Sequence, residues 1–289
     1  MRERATNVRR SDFAGSWYPG DKAGILKAIK AFEPSAVRPK SLAGGLVGGI
    51  VPHAGWVYSG RLAANVIQVL SERSRPDTVI LFGGHLGRGM KPVIMPEGEW
   101  ETPLGNIAVD AELAAPLLTA FRFSEESPED HDEDNTIELQ LPFIKHYFPA
   151  AKVVAIGAPP EDVSFAIAEA IVKAAGTLGR RLIAVGSTDL THYGPNYGMT
   201  PKGSGAEAVR WVKDVNDKKA VELMTALDAA GVREEALRRH NACCMGAAST
   251  AVHLAKLLGA TKGELLDYYT SYDVSPNASF VGYAGIVFG

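Results

Sequence analysis

The chain has 289 residues, of which 46% are apolar and 22% are charged. This composition is that of a soluble globular protein, and it excludes disorder as the main state of the chain. The formal net charge of -3 results from 30 basic and 33 acidic residues. The sequence therefore lacks the basic excess of nucleic-acid-binding proteins and of proteins that bind anionic membranes, and we expect neither partner.

The two cysteines, Cys243 and Cys244, are adjacent in the sequence. They exclude a disulfide framework, and adjacent cysteines rarely form a bridge with each other. No apolar run approaches the roughly 18 residues of a membrane span. The basic start MRERATNVRR is not followed by the apolar segment of a secretory signal. These features predict a cytoplasmic protein in a reducing compartment.

Short apolar runs alternate with segments of helical periodicity in chain order. Strands are predicted at 46–51, 78–82, 153–156, 182–185, 265–272 and 280–288, and helical patterns at 62–70, 163–175, 206–227 and 242–258. Continuous apolar runs indicate strands covered on both faces, and strand–helix–strand order implies crossover connections. The predicted fold is therefore α/β, with one domain over residues 1–289 and a mainly parallel or mixed central sheet covered by helices on both faces.

Three histidines follow predicted strands. His53 comes after the strand at 46–51, His85 after the strand at 78–82, and His192 after the strand at 182–185, with Asp189 three residues before it. In open α/β sheets, ligands bind beyond the carboxyl ends of the strands. Because neutral imidazole is the commonest metal ligand, these positions predict a metal-type site at that edge of the sheet.

Cys243 begins the helical pattern at 242–258. A thiol at a helix N-terminus has a lowered pKa, which favours a thiolate that binds metal or attacks carbon. Two histidines and a thiolate suit a divalent metal such as iron(II), zinc or copper. The alternative is that the cysteines are small buried apolar residues. The remaining histidines are interpreted as structural or surface residues: His131, His146, His240 and His253.

The acidic segment at 130–142 allows two interpretations. In the first, it is a solvated loop followed by a helix, with Asn135 as the cap and Glu138 in the capping-box position. In the second, Asn135 or Glu138 points into the site and contributes to substrate binding. The glycine- and proline-rich connection at 83–106 is also a candidate functional segment, because long connections inside compact domains are usually functional.

Several motifs together resemble the Memo family, which is also called AmmeMemoRadiSam system protein B. They cover nearly the whole chain and lie at 13–19 (FAGSWYP), 51–60 (VPHAGWVYSG), 83–87 (GGHLG), 136–143 (TIELQLPF), 187–193 (STDLTHY) and 280–285 (FVGYAG). The family is similar in fold to class III extradiol ring-cleaving dioxygenases, which use non-haem iron(II). The resemblance also implies a functional association with radical SAM and AMMECR1-like proteins.

For the site, the resemblance implies metal ligation by His53, His85 and Cys243, with Asp189 and His192 as further pocket residues. The sequence departs from the family pattern at three positions. Asn135 stands where the family usually has histidine, Cys244 stands where it usually has glycine, and Gly84 stands where it often has a polar residue before His85. The sequence leaves open which of the two thiols faces the metal. A eukaryotic member of the family is a phosphotyrosine-peptide adaptor and a metal-dependent redox protein.

Three functions are compatible with this sequence. The first is a metal-dependent oxidoreductase, in which His192, oriented by Asp189, is the general acid/base. The aromatic walls of its pocket are predicted to be Trp17, Tyr58 and Trp100. The candidate substrate-binding residues are Trp17, Tyr58, Asn135 and Glu138. The second is a non-catalytic protein that binds a peptide or a small ligand in the same pocket. The third is a hydrolase with Cys243 or Cys244 as the nucleophile beside His192.

Overall fold

The computed structural model describes residues 7–289. Its strands, in chain order, are β1 (Val8–Arg9), β2 (Gly48–Val51), β3 (Thr78–Gly83), β4 (Val93–Ile94), β5 (Glu99–Trp100), β6 (Ile107–Ala108), β7 (Ser124–Glu125), β8 (Lys152–Gly157), β9 (Leu182–Ser187), β10 (His192–Tyr193), β11 (Gly263–Thr270) and β12 (Phe280–Phe288). Residues 1–6, which begin the basic N-terminal segment, lie outside the described residues. The extent of one domain over 1–289 stays a prediction.

The helices lie between these strands in chain order. They are α1 (Lys22–Phe32), α2 (Trp56–Arg73), α3 (Ala111–Ala120), α4 (Asn135–Glu138), α5 (Leu141–Tyr147), α6 (Asp162–Leu178), α7 (Ala206–Trp211), α8 (Asp217–Thr225), α9 (Ala229–Arg239), α10 (Met245–Leu257) and α11 (Ser271–Val274). A π-helical turn, Val212–Asn216, joins α7 to α8. Within residues 7–289, no helix has both the length and the apolar character needed to cross a bilayer.

The main sheet is mixed. Its central strands run parallel in the order β2, β9, β3, β8. On one side β12 pairs antiparallel with β2, and on the other side β4 pairs antiparallel with β8. A smaller sheet contains β1, β5 and β6. The α/β fold class with a mixed central sheet is thereby confirmed.

Helices cover both faces of the main sheet because its strands are apolar on both sides. In β3, Val79 and Leu81 pack in one hydrophobic cluster with residues of α1, α2 and α5. Ile80 and Phe82 pack in the other cluster, with residues of α3, α6 and α10. Burial of each such side chain stabilises the fold by about 1.5–3 kcal/mol. The continuous apolar runs of the sequence therefore form strands that are buried on both faces.

Two helical predictions differ from the structure. The pattern at 206–227 is interrupted by the π-helical turn, and α10 begins at Met245 rather than at 242. Cys243 consequently lies in a turn before the helix, and the prediction that it begins the helix is wrong. The reason is that Cys244 is the residue that caps α10, with a non-helical φ of -112° and ψ of 60°, while the Cys243 N–H before it donates to the Asp189 carbonyl oxygen at 3.0 Å.

Candidate metal centre

His53 lies two residues beyond β2, at the carboxyl edge of the parallel strands. Its backbone N–H donates to Asp189 Oδ1 at 2.7 Å, and its Nδ1 lies 3.0 Å from the Ser187 hydroxyl oxygen. Both partners belong to the end of β9, which neighbours β2 in the sheet. The hydrogen bond at Nδ1 fixes the ring of this buried histidine and leaves Nε2 as its second polar atom.

His85 lies two residues beyond β3 and is exposed. The preceding Gly84 has a φ of 86°, which is the left-handed region that glycine adopts without steric cost. Its N–H donates to the Thr136 hydroxyl at 2.7 Å. This sharp turn directs the chain away from the sheet, and the His85 and His53 rings meet with centroids 5.1 Å apart.

The two cysteines lie in the turn between α9 and α10. The Cys244 N–H donates to the Thr188 hydroxyl at 3.1 Å, and the two sulfur atoms are 3.9 Å apart. Together with the bond from Cys243 to Asp189 described above, this contact anchors the turn to the end of β9. The residues that follow β9 thus hold both the His53 segment and the cysteine turn.

The side chains of His53, His85, Cys243 and Cys244 converge, with one ligand atom from each lying within 4.8 Å of the others. Cys243 Sγ lies 3.2 Å from His53 Nε2, and Cys244 Sγ lies 3.3 Å from His85 Nδ1. A tetrahedral zinc site with Zn–S of about 2.3 Å and Zn–N of about 2.0 Å would separate two sulfurs by about 3.8 Å, and nitrogen from sulfur by about 3.5 Å. The three observed separations are close to these values, and the four donor atoms could hold one ion.

The side chains of this cluster shift one another's pKa values. Burial lowers the pKa of His53, but the Asp189 carboxylate and the Cys243 thiolate outweigh burial and raise that pKa to about 9. Burial also acts to raise the pKa of Cys243, but the neighbouring Cys244 thiol and the charge of His53 hold it well below its usual range. The pKa of Cys244 is raised by burial and by the adjacent Cys243 thiolate. In the metal-free protein Cys243 is accordingly the thiolate of the pair.

A cavity of about 540 Å³ opens beside the cluster. Its lining includes His53, His85, Trp17, Tyr58, Asn135, Asp189 and His192 from the sequence-predicted set. Sequence reasoning missed Tyr197, Tyr283 and the serines Ser271, Ser275 and Ser279, which also line it. Tyr283 lies in the motif at 280–285 but was not assigned a role, and no motif marked Tyr197 or the serines, which reach the cavity from α11 and from loops. The described residues that line this cavity include no lysine or arginine.

Asn135 is the first residue of α4, and Asp134 is the cap, because its carboxylate accepts from the Thr136 N–H at 2.8 Å. The prediction of Asn135 as the helix cap is therefore wrong. The Asn135 side-chain amide instead donates to the His53 carbonyl oxygen at 3.1 Å. This bond connects the start of α4 to the His53 segment at the cavity wall.

His192 and Asp189 both line the cavity but have different partners. Asp189 accepts from the His53 backbone, whereas His192 Nδ1 lies 3.2 Å from the Leu190 carbonyl oxygen. Among the described residues no hydrogen bond joins Asp189 to His192. The orienting contact of Asp189 thus acts on the His53 segment, and the backbone of Leu190 orients the His192 ring.

Glu138 and Trp100 lie away from the cavity. Trp100 is buried beneath the Arg9 guanidinium, which lies 4.2 Å from the centre of its ring. Buried Glu138 accepts hydrogen bonds from the backbone of Asp12 at 2.8 Å and Phe13 at 2.9 Å, and from the Tyr18 hydroxyl at 2.7 Å. Glu138 therefore holds the N-terminal segment that carries Trp17 to the cavity mouth.

We expect Glu138→Ala to lower the free energy of unfolding by about 3 kcal/mol, since it leaves three donors without their acceptor. Amide hydrogen exchange at residues 12–18 should accelerate at the same time. Glu138→Gln keeps one acceptor oxygen, so its free energy of unfolding should fall by less. Unchanged exchange at residues 12–18 in the alanine variant would show that Glu138 does not hold this segment.

A buried polar network supports the loop that carries His192. Asp217 accepts from the Thr191 N–H at 3.0 Å and from the Tyr268 hydroxyl at 2.7 Å. The adjacent Asn216, at the end of the π-helical turn, donates to the Thr191 hydroxyl at 2.9 Å. Burial raises the pKa of Asp217 to about 6, although the hydrogen bonds from Thr191 and Tyr268 oppose the shift.

The raised pKa of Asp217 predicts a specific dependence of stability on pH. The folded state holds this proton up to about pH 6, whereas the unfolded chain releases it near 3.8. Stability therefore falls as pH rises from about 4 to about 6, by on the order of 3 kcal/mol. Asp217→Asn should remove this loss, so the variant gains stability relative to the wild type across that range. Denaturant titrations at several pH values measure the difference, and parallel pH profiles would contradict it.

The fold and the cluster define an α/β protein with a histidine–cysteine metal-type site at the carboxyl ends of its parallel strands. Comparison with known families agrees, because the Memo-like protein family matches residues 9–287. The chain belongs to the Memo family.

Relatives include archaeal MEMO1 family proteins of similar length. The protein of Pyrococcus furiosus is 33% identical over 97% of this chain and 98% of its own length. Those of Thermococcus onnurineus and Methanopyrus kandleri are 34% and 35% identical, over 97% and 95% of this chain and 99% and 96% of their own lengths.

Proposed function

We propose that this chain is a metal-dependent oxidoreductase whose ion is held by His53, His85 and Cys243 at the edge of the cavity. The observation that carries the proposal is the convergence of imidazole and thiol donors within 4.8 Å beside a cavity of about 540 Å³. Iron(II) is the ion that the family resemblance implies, and zinc and copper suit the same donors. A bound ion would supply a Lewis acid and, as iron or copper, a one-electron couple.

His192 is the proposed general acid/base. Its Nδ1 lies 3.2 Å from a carbonyl oxygen, which can only accept, so Nδ1 carries the proton of the neutral ring. Nε2 is then the basic nitrogen and can accept a proton from a ligand in the cavity. Asp189 is the proposed positioning residue, because it holds the backbone of His53 in place.

The cavity lining favours a small uncharged organic substrate. Trp17, Tyr58 and Tyr197 supply aromatic surface, while serine hydroxyls supply hydrogen bonds. A phosphorylated peptide would require arginine or lysine partners, and the described lining residues include neither. Cytoplasmic reducing conditions would keep both free thiols available as ligands. We also propose a functional association with radical SAM and AMMECR1-like proteins. The family resemblance is the support for this part of the proposal.

The oxidoreductase proposal is tested by oxygen consumption with the iron(II)-loaded protein and catechols or thiols as reductants. His192→Ala should abolish turnover without loss of bound metal. His146→Ala is the matched control, because His146 lies on α5 and does not line the cavity. Turnover that persists in His192→Ala would contradict the acid/base role.

A non-catalytic binding protein is the second candidate, and Asn135 favours it. An amide hydrogen-bonds but does not shuttle protons, and its N–H already donates to the His53 carbonyl oxygen. Ligand binding without oxygen consumption, equal in the wild type and His192→Ala, would support this candidate.

A cysteine-nucleophile hydrolase is the third candidate. The structure pairs Cys243 with His53 at 3.2 Å, rather than with His192. Rapid stoichiometric alkylation of one thiol in metal-free protein at neutral pH would support it, and sluggish alkylation of both thiols would exclude it.

A further inference from the structure

We propose that Cys244 is a fourth metal ligand, so that this chain surrounds its ion with two thiolates and two imidazoles. The inference rests on the metal binding proposed above and goes beyond the three ligands that the resemblance implies. It would make the resting site a closed tetrahedral one, in which no coordination position is left for a substrate or for water.

The position of the Cys244 sulfur is the first argument. A buried free cysteine usually behaves as a small apolar residue, and Cys244 does pack with the apolar cluster beneath α10. Its sulfur nevertheless lies 3.3 Å from His85 Nδ1 and 3.9 Å from Cys243 Sγ. Each separation is close to the edge length of a tetrahedral zinc site, and a purely apolar role gives no reason for either contact.

The anchoring of the turn is the second argument. The two cysteines lie in a turn, and their sulfur atoms face the same point. The structure achieves this by tying both backbone N–H groups to the end of β9, one to Asp189 and the other to Thr188. The same strand end holds His53, so three of the four donors, on two loops, share one support.

Donor chemistry is the third argument. Two thiolates neutralise the charge of a divalent ion, and the second sulfur makes the donor set softer. Soft thiolate ligands select zinc over ions that prefer oxygen and nitrogen. The four donors therefore favour zinc over iron(II) in the resting protein. A substrate would reach the ion by replacing a ligand or by expanding its coordination to five.

The test uses cobalt(II) as a spectroscopic probe of the number of thiolates. Wild-type protein should show the sulfur-to-cobalt charge-transfer band of two thiolates, and Cys244→Ser should show about half that intensity, as should Cys243→Ser. If Cys244→Ser is unstable, the same measurement is made on Cys244→Ala, because alanine suits the buried apolar surroundings of this position. Competition titrations should show that the loss of Cys244 weakens the binding of zinc at least about tenfold. The binding of iron(II) should weaken less.

The outcomes separate the two proposals. An intensity that is the same in the wild type and in both Cys244 variants, with cobalt still bound, would overturn the fourth ligand while metal binding stands. Failure of the wild type to bind cobalt or zinc would overturn metal binding itself, and the fourth ligand with it.

Discussion

Replacing His53 with alanine should weaken metal binding by more than about 100-fold. Loss of a group that only supports a ligand already costs about 10- to 100-fold in metal affinity, and the removal of a ligand should cost more. His53 is buried, its ring is fixed by Ser187, and its Nε2 lies 3.2 Å from Cys243 Sγ. Within the four-residue cluster, His85 is the other imidazole, and it is itself a proposed ligand.

Competition between the metal-free protein and a chromophoric chelator measures this affinity. His146→Ala is the control, because its ring packs against Tyr147 outside the cluster. Circular dichroism must show that both variants remain folded. A His53→Ala variant that binds zinc as tightly as the wild type would contradict its role as a ligand.

Gly246→Ala should destabilise the protein by about 3 kcal/mol or more and weaken metal binding as well. A Cβ at this position would lie 2.0 Å from the Ala158 carbonyl oxygen and 2.6 Å from the Pro159 carbonyl carbon. These backbone atoms follow β8 and cannot rotate away, so α10 would have to shift. Overpacking of this kind costs about 1–3 kcal/mol and occasionally more. Because α10 begins directly after Cys244, its displacement would also move the cysteine turn.

A second glycine provides the matched control for this substitution. Gly176 lies in α6, and a Cβ there meets no atom within 4 Å. Gly176→Ala should stabilise the helix by about 0.5–1 kcal/mol. Chemical denaturation and zinc titration of both variants measure the contrast. Equal stability of Gly246→Ala and the wild type would show that α10 and the residues after β8 accommodate the added carbon.

The sequence predicts the strands of this fold well because both faces of the main sheet are buried. Buried strands are continuous apolar runs, and these are visible without a structure. The placement of His53 and His85 also follows from sequence, since the carboxyl ends of parallel strands meet at one edge. Helix α9 was missed although a local cap begins it, since the Asp228 carboxylate accepts from the Gly231 N–H at 2.9 Å. The π-helical turn before α8 was also missed, because the hydrogen bond from its last residue, Asn216, to Thr191 is tertiary and cannot be seen in the sequence.

The cysteine half of the site is less predictable. Cys243 is 190 residues away from His53 in sequence, and periodicity does not show that the turn after α9 reaches the end of β9. The start of a helical pattern made Cys243 a candidate ligand, and the family resemblance implied the same residue. The choice between the thiols stayed open until the geometry showed both sulfurs beside the histidines. The contact of Asp189 with His53, rather than with His192, depends in the same way on the pairing of β2 with β9.

The central claim is that His53, His85 and the cysteines bind one ion, and metal analysis of the purified protein tests it most directly. Protein purified anaerobically without an affinity histidine tag should contain about one zinc or iron ion per chain, as expected for a four-donor site. The double variant His53→Ala/His85→Ala should contain none. The control variant His146→Ala/His253→Ala should match the wild type. Metal content that is unchanged in the His53→Ala/His85→Ala protein would contradict the account.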